Sequence, residues 1–320
     1  MKYHHAIREA LRCELERDPD VFVMGEDVGL PGGIYAQMRG LIDEFGAERL
    51  RDTPAAELGF MGAAVGAALT GSRPVVEISF ADFFMTCIDQ LVNQAAKIRY
   101  MSGGQAKVPL TVMSFAGAGR NAGPQHSGYY EAWLGSIPGL RVVMPATPRD
   151  AQGMLKWAIR DDDPTVVLFN KALLGIADDS EAGVEPLPCG EAHVLREGTD
   201  VTLVAWSAMV HTSLAAAEEL AGEGISAEVI DLRSIQPLDG ETIARSAIKT
   251  GRVVTVQESN TFAGIGAEVA AEVSRRAFGY LDAPVQIVGA PFTPVPFARP
   301  MEQFVLPSVA SVTAAVKEIL

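Results

Sequence analysis

Two hydrophobic rhythms alternate along the chain. Short, continuously apolar runs rich in β-branched residues occur at Val21–Met24, Pro74–Phe80, Val108–Phe115, Arg141–Pro145 and Thr165–Phe169. A second series follows at Val201–Trp206, Ala227–Leu232, Arg252–Gln257 and Val285–Gly289. Continuous rather than alternating apolar character predicts strands buried on both faces of a parallel sheet. Helical spacing fills the gaps. From Phe84 to Met101 apolar residues recur at Ile88, Leu91, Val92 and Ala95, and Ser102-Gly103-Gly104 stops the pattern. Pro148–Arg160 and Ala208–Gly222 read the same way. This alternation predicts an α/β fold with mostly parallel sheets and right-handed crossovers. The rhythm fails between Ile176 and Gly190 (IADDSEAGVEPLPCG), which predicts a link between a domain over 1–180 and a second over 190–320.

Open parallel sheets bind ligands beyond the carboxyl ends of their strands. The segments expected there are GEDVG (Gly25–Gly29), FADFF (Phe80–Phe84) and the long loop GAGRNAGPQHSG (Gly117–Gly128). DTPAAELGFMGAAVGAAL (Asp52–Leu69) predicts a helix carrying Gly59, Gly62 and Gly66. Each interior glycine costs a helix roughly 0.5–1 kcal/mol, so three imply close packing, within the chain or against another subunit. Glu57 starts this helix after Thr53-Pro54. It is either an acid favoured by the helix dipole or a buried carboxylate that bonds a protonatable ligand nitrogen. His126 is either a solvated loop residue or an acid–base and oxyanion group.

Charge and motif content narrow the classes. A sum of 26 basic and 40 acidic residues, −14, argues against a nucleic-acid or anionic-membrane partner. No apolar run reaches the ~18–20 residues of a membrane span. The first residues carry acids and lack an apolar core, unlike a signal or transit peptide, so a cytoplasmic, bacterial-type protein is expected. Cys13, Cys87 and Cys189 are widely spaced and read as reduced thiols. GxGxxG, GK[ST], HExxH, EF-hand and GxSxG patterns are absent. Gly264-Ile265-Gly266 opens a helix but is too short a motif for a dinucleotide site. His4 and His5 fall on what reads as an exposed N-terminal helix.

Several long segments together resemble one family. GEDVG at Gly25, RDTPAAELGF at Arg51, DQLVNQAAKIRYMSGG at Asp89, QHS at Gln125, PGLRVVMPATPRDAQGML at Pro138, AIRDDDP at Ala158 and EVIDLRSIQPLD at Glu228 look like the beta subunit of thiamine-diphosphate-dependent 2-oxo acid dehydrogenases. The resemblance implies a pyrimidine-binding thiamine-enzyme domain followed by a transketolase C-terminal-type domain. It implies an α₂β₂ heterotetramer with a beta–beta contact, in which an alpha chain holds the diphosphate and Mg²⁺ through a GDG motif; this chain has no GDG. Carried over by motif, Glu57 faces the aminopyrimidine ring nitrogen and Phe83 stacks on that ring. His126 reaches substrate and intermediates, and Glu26 lies near the cofactor. The family's structural K⁺ site, mostly backbone oxygens, falls on Leu110, Ala158, Ile159, Asp161 and Asp163; the alternative is an acidic run that merely ends a helix before Pro164. The implied reaction is decarboxylation of a 2-oxo acid such as pyruvate, or cleavage of acetoin, with acyl transfer to a lipoyl acyltransferase partner. Many family members have an acid where Phe169 stands and a glutamine where Gly128 stands, and AGRNAGP also departs from the usual loop. These departures keep open a two-chain acyloin synthase or transketolase-like transferase without a lipoyl partner, and a non-catalytic structural subunit.

Overall fold

The computed structural model describes residues 1–320. Its chain divides into two compact units, one formed by Met1–Ala116 with Trp133–Cys189, the other by Gly117–Ala132 with Gly190–Leu320. The loop that carries His126 therefore groups with the C-terminal unit.

In the first unit, strands β1 (Val21–Gly25), β2 (Leu50–Asp52), β3 (Arg73–Phe80), β4 (Thr111–Ala116), β5 (Arg141–Val143) and β6 (Thr165–Asn170) lie side by side in the order β5-β6-β4-β3-β1-β2. Every pairing among them is parallel. β1, β4 and β6 are buried at every residue, as continuous apolar runs require. Helices α1 (Tyr3–Arg17), α2 (Leu41–Phe45), α3 (Glu57–Leu69), α4 (Ala96–Met101), α5 (Glu131–Gly135) and α6 (Pro148–Arg160) occur along residues 1–160. α6 begins where its sequence dictates: the Thr147 side chain accepts from Asp150 N at 3.1 Å, and Pro148 fills the first turn.

Three details differ from the sequence expectation. α1 is not an exposed helix. It buries Tyr3, Ile7, Leu11 and Leu15, and its buried Glu14 accepts from Arg160 at 2.7 Å and Arg17 at 2.8 Å. His4 Nδ1 lies 2.8 Å from Leu174 O. The helix expected over Phe84–Met101 is three pieces: a 3₁₀ turn (Ala81–Thr86), a π-helical stretch (Asp89–Ala95) and α4. The stretch after Ile176 is a strap along α6, where Lys156 donates to Val184 O at 3.0 Å and Leu187 N to Gly153 O at 3.0 Å.

In the second unit, β7 (His193–Arg196), β8 (Val201–Ala205), β9 (Ala227–Asp231), β10 (Ser234–Gln236), β11 (Val253–Asn260) and β12 (Gln286–Ala290) alternate with α7 (Ala208–Gly222), α8 (Gly240–Thr250) and α9 (Ile265–Ala277), before α10 (Arg299–Val305) and α11 (Val309–Lys317). Five strands form a sheet in the order β12-β11-β8-β9-β7, parallel except for β7. The Gly264-Ile265-Gly266 start of α9 is capped from within: Gln257 Oε1 accepts from Gly266 N at 2.7 Å, and a Cβ on Gly264 would sit 2.1 Å from Gln257 Nε2. No helix is long and apolar enough to cross a membrane.

Candidate active site

At the carboxyl ends of β1, β2 and β3, short backbone distances fix the loops. A Cβ on Gly25 would meet Glu77 O at 2.7 Å, so only glycine lets β1 approach β3 this closely. Gly29 N donates to Asp52 Oδ1 at 2.7 Å, and Thr53 N to Gly25 O at 2.9 Å. These bonds tie GEDVG to the turn that enters α3. They bring Glu26 and Glu57 into electrostatic reach of each other.

Glu57 is the first residue of α3 and is half-buried, not enclosed. Ala56, not Glu57, is the N-cap residue, and no side-chain bond caps this helix. The Glu57 carboxylate makes no hydrogen bond or ion pair within the chain. It is an acceptor at a helix N-terminus, where the dipole favours a charge. Glu26 Oε1 is buried and without a partner. Burial, then the Glu57 and Asp27 charges, hold the Glu26 carboxyl above the usual range. Thr53 Oγ1 and Gln90 Oε1 are further buried atoms without partners.

Phe83 follows β3 and is half-buried, edge-to-face with Phe80 at 5.7 Å between centroids. Its neighbour Phe84 is fully buried and takes the core position. Cys87 lies beneath, its thiol pushed up to about 12 by burial and then by Glu57. An unpaired carboxylate, a second acid with an orphan oxygen and an aromatic face fit a flat heterocycle bearing a protonatable nitrogen.

His126 ends a 3₁₀ turn (Pro124–His126) and is half-buried, next to the buried Ser127. A hollow of about 400 Å³ in this unit is lined by Pro124, Ser127, Gly128 and Tyr129 of the same loop and by Asn260 and Phe292. Glu57, Glu26 and Phe83 belong to the first unit and His126 to the second.

Four of the five residues expected to hold K⁺ have polar partners within the chain. Arg73 Nη1 donates to Ile159 O at 3.1 Å and Asp161 O at 2.9 Å. Leu110 O receives Thr165 N at 3.0 Å. The Asp161 side chain pairs with Arg141, and Asp163 with Arg99 at 2.5 Å and Arg141 at 3.1 Å. Asp162, between them, pairs with Arg73 and Lys107, each at 2.7 Å. Lys107 and then Arg73 hold the Asp162 carboxyl below its usual range. Arg73, Arg99 and Arg141 thus bond four of the acceptors expected to face K⁺, the carbonyl oxygens of Ile159 and Asp161 and the carboxylates of Asp161 and Asp163.

Two buried ionisable groups gave no sequence signal. Glu77, alone in the apolar run RPVVEISF, is fully enclosed and accepts from Gln37 Nε2 at 2.5 Å, with Oε2 unpartnered. Burial pushes its carboxyl up to about 8. Lys171 is also buried, its ammonium 5.4 Å from the Phe80 ring centroid. At Phe169, where an acid is common, the ring packs in the core 6.0 Å from Tyr3 and 5.9 Å from Phe115.

Comparison with known proteins now adds to this geometry. Residues 1–176 match the family described as the transketolase pyrimidine binding domain, and residues 190–312 the transketolase C-terminal domain. The chain is 46% identical over 314 residues to a Rickettsia felis protein named pyruvate dehydrogenase E1 component subunit beta, covering 98% of this chain and 96% of the relative. It is 46% identical to the mitochondrial subunit beta-1 of Arabidopsis thaliana (99% and 88% covered). A Cupriavidus necator protein named acetoin:2,6-dichlorophenolindophenol oxidoreductase subunit beta is 42% identical (98% and 96% covered). Among solved structures, a split-gene transketolase described as an inactive beta4 tetramer superposes with a TM-score of 0.82 at 26% identity, covering 100% of this chain and 98% of that one.

Proposed function

The chain belongs to the beta-subunit family of thiamine-diphosphate-dependent 2-oxo acid dehydrogenase first components, and on that footing we propose that it acts with an alpha chain to decarboxylate a pyruvate-like 2-oxo acid or cleave acetoin, handing the acyl unit to a lipoyl acceptor. The observation that carries the site is the Glu57 carboxylate, unpaired at the start of α3 and within electrostatic reach of Glu26. The pyrimidine-binding domain spans 1–180 and the C-terminal domain 190–320 in this reading. Diphosphate and Mg²⁺ are held by the alpha chain in an α₂β₂ assembly with a beta–beta contact, in the cytoplasm.

When bound, thiamine diphosphate supplies a nucleophilic carbon and an electron sink, so the protein's part is orientation and proton control. Glu57 accepts the hydrogen bond of a protonatable ring nitrogen and holds a proton there. Phe83 presents its face to the same ring and fixes its plane without adding charge. Glu26, its carboxyl raised by burial and then by the Glu57 charge, lies within electrostatic reach of Glu57. His126 stabilises the substrate carboxylate or the developing oxyanion.

The test is Glu57→Gln in enzyme reconstituted with its alpha chain. Loss of on the order of 10²-fold or more in turnover is expected; wild-type turnover overturns the assignment. Supplying lipoamide or an aldehyde as acceptor separates the dehydrogenase from the transferase alternative.

A further inference from the structure

The loop Gly117–Gly128 has no regular structure beyond its one 3₁₀ turn, yet its backbone is not free. Its base is closed by Gly117 N donating to Gly128 O at 3.2 Å. Two buried carboxylates of the same unit then take up its N–H groups. Glu258, near the end of β11, accepts from Ala118 N at 2.8 Å and lies 3.4 Å from the Tyr129 hydroxyl. Glu302, in the first turn of α10, accepts from Gly119 N at 3.0 Å and from Asn121 N at 3.1 Å through Oε1. Its Oε2 accepts from the Asn121 side-chain amide at 3.1 Å. Gly119 (φ 91°) and Asn121 (φ 54°) both adopt left-handed backbone, which turns successive N–H groups toward one point. Such a nest binds an anion, and here the anion is a side chain only 2% exposed.

A carboxylate that merely satisfied its own helix would accept from α10. Glu302 instead spends both oxygens on one glycine-rich loop, five residues before His126. Charge-assisted bonds of this kind are the strong ones, and the loop has no apolar core of its own to hold it.

We propose that Glu302 is a positioning residue: its carboxylate, gripped by the N–H groups of residues 119 and 121, sets the conformation of the loop that presents His126, while Glu258 anchors the loop's base. This deepens the functional reading above and rests on it for the role of His126. The clamp itself does not depend on that role. Glu302→Gln keeps the shape and removes the charge. Hydrogen exchange of the full chain then accelerates about tenfold or more at residues 118–123, while β8 and α7 exchange as before.

In the reconstituted enzyme, Glu302→Gln lowers kcat with little change in the KM for the 2-oxo acid. Glu302→Asp recovers part of the loss. Combining Glu302→Gln with His126→Ala costs no more than His126→Ala alone. Should Glu302→Gln fold poorly, Asn121→Gly removes one donor, tolerates the same φ and gives a smaller effect of the same kind. Unchanged exchange at residues 118–123, or multiplicative losses in the double variant, overturns the proposal. Full activity of His126→Ala instead overturns the role of the histidine, and the exchange result still decides the clamp.

Discussion

Glu57 and Glu77 are the same side chain in opposite surroundings, and their chemistry follows from the difference. Glu57 is half-buried at a helix start. Glu77 is enclosed in β3 with one amide bond from Gln37, and its carboxyl is raised to about 8. In the unfolded chain Glu77 ionises near its ordinary 4.5; folded, it keeps its proton up to about pH 8. Between those values the native state binds one proton more, so stability falls as pH rises and then levels off. Glu77→Gln removes this slope, and urea midpoints from pH 5 to 9 should show the variant gaining on the parent at the alkaline end. Adjacent phenylalanines divide similarly. Phe84→Ala should cost about 3–5 kcal/mol in unfolding measurements, as a fully buried ring does. Phe83→Ala should cost little stability and weaken thiamine diphosphate binding by about 0.5–1.5 kcal/mol, measured by titration of the holoenzyme. Glu57 and Phe83 stood out in the sequence as candidates, Glu57 within RDTPAAELGF and Phe83 within FADFF at the end of β3. Glu77 was not legible: nothing in RPVVEISF says that a glutamine forty residues earlier arrives to meet it.

Helix α3 carries one face with nothing packed on it. A Cβ on Gly59 or Gly66 would meet no atom within 4 Å, while Phe60, Met61, Ala64 and Val65 on the other side are buried. The chain's own core therefore does not account for Gly59 and Gly66. Gly66→Leu should stabilise the isolated chain by about 0.5–1 kcal/mol through helix propensity and abolish co-assembly with the alpha chain or a second beta chain in size-exclusion experiments. Nine strands were legible as apolar runs. The short β2 (Leu50–Asp52), β7 and β10 were not, since LRD, HVLR and SIQ mix charged or polar residues with too few apolar ones to form a run. The π-helical turn at Asp89–Ala95 was equally hidden. Spacing in a single sequence does not distinguish a widened turn from an α-helix.

Across the first unit the two ends of the sheet do different work. The carboxyl ends of β1–β3 display Glu26, Glu57 and Phe83, with orphan acceptors awaiting partners. The amino ends of β3, β5 and β6 meet at Asp161–Asp163, where Arg73, Arg99, Lys107 and Arg141 converge. Replacing potassium by tetramethylammonium at constant ionic strength should leave the melting temperature where it was. The guanidinium groups at this seam come from segments far apart in the sequence, so no local motif reveals them. These counter-ions are covalently part of the polypeptide, so dialysis and desalting cannot strip them. What weakens such a seam is screening. Concentrated brine, rather than the withdrawal of any ion, is the condition that would pry open the rear of the molecule first.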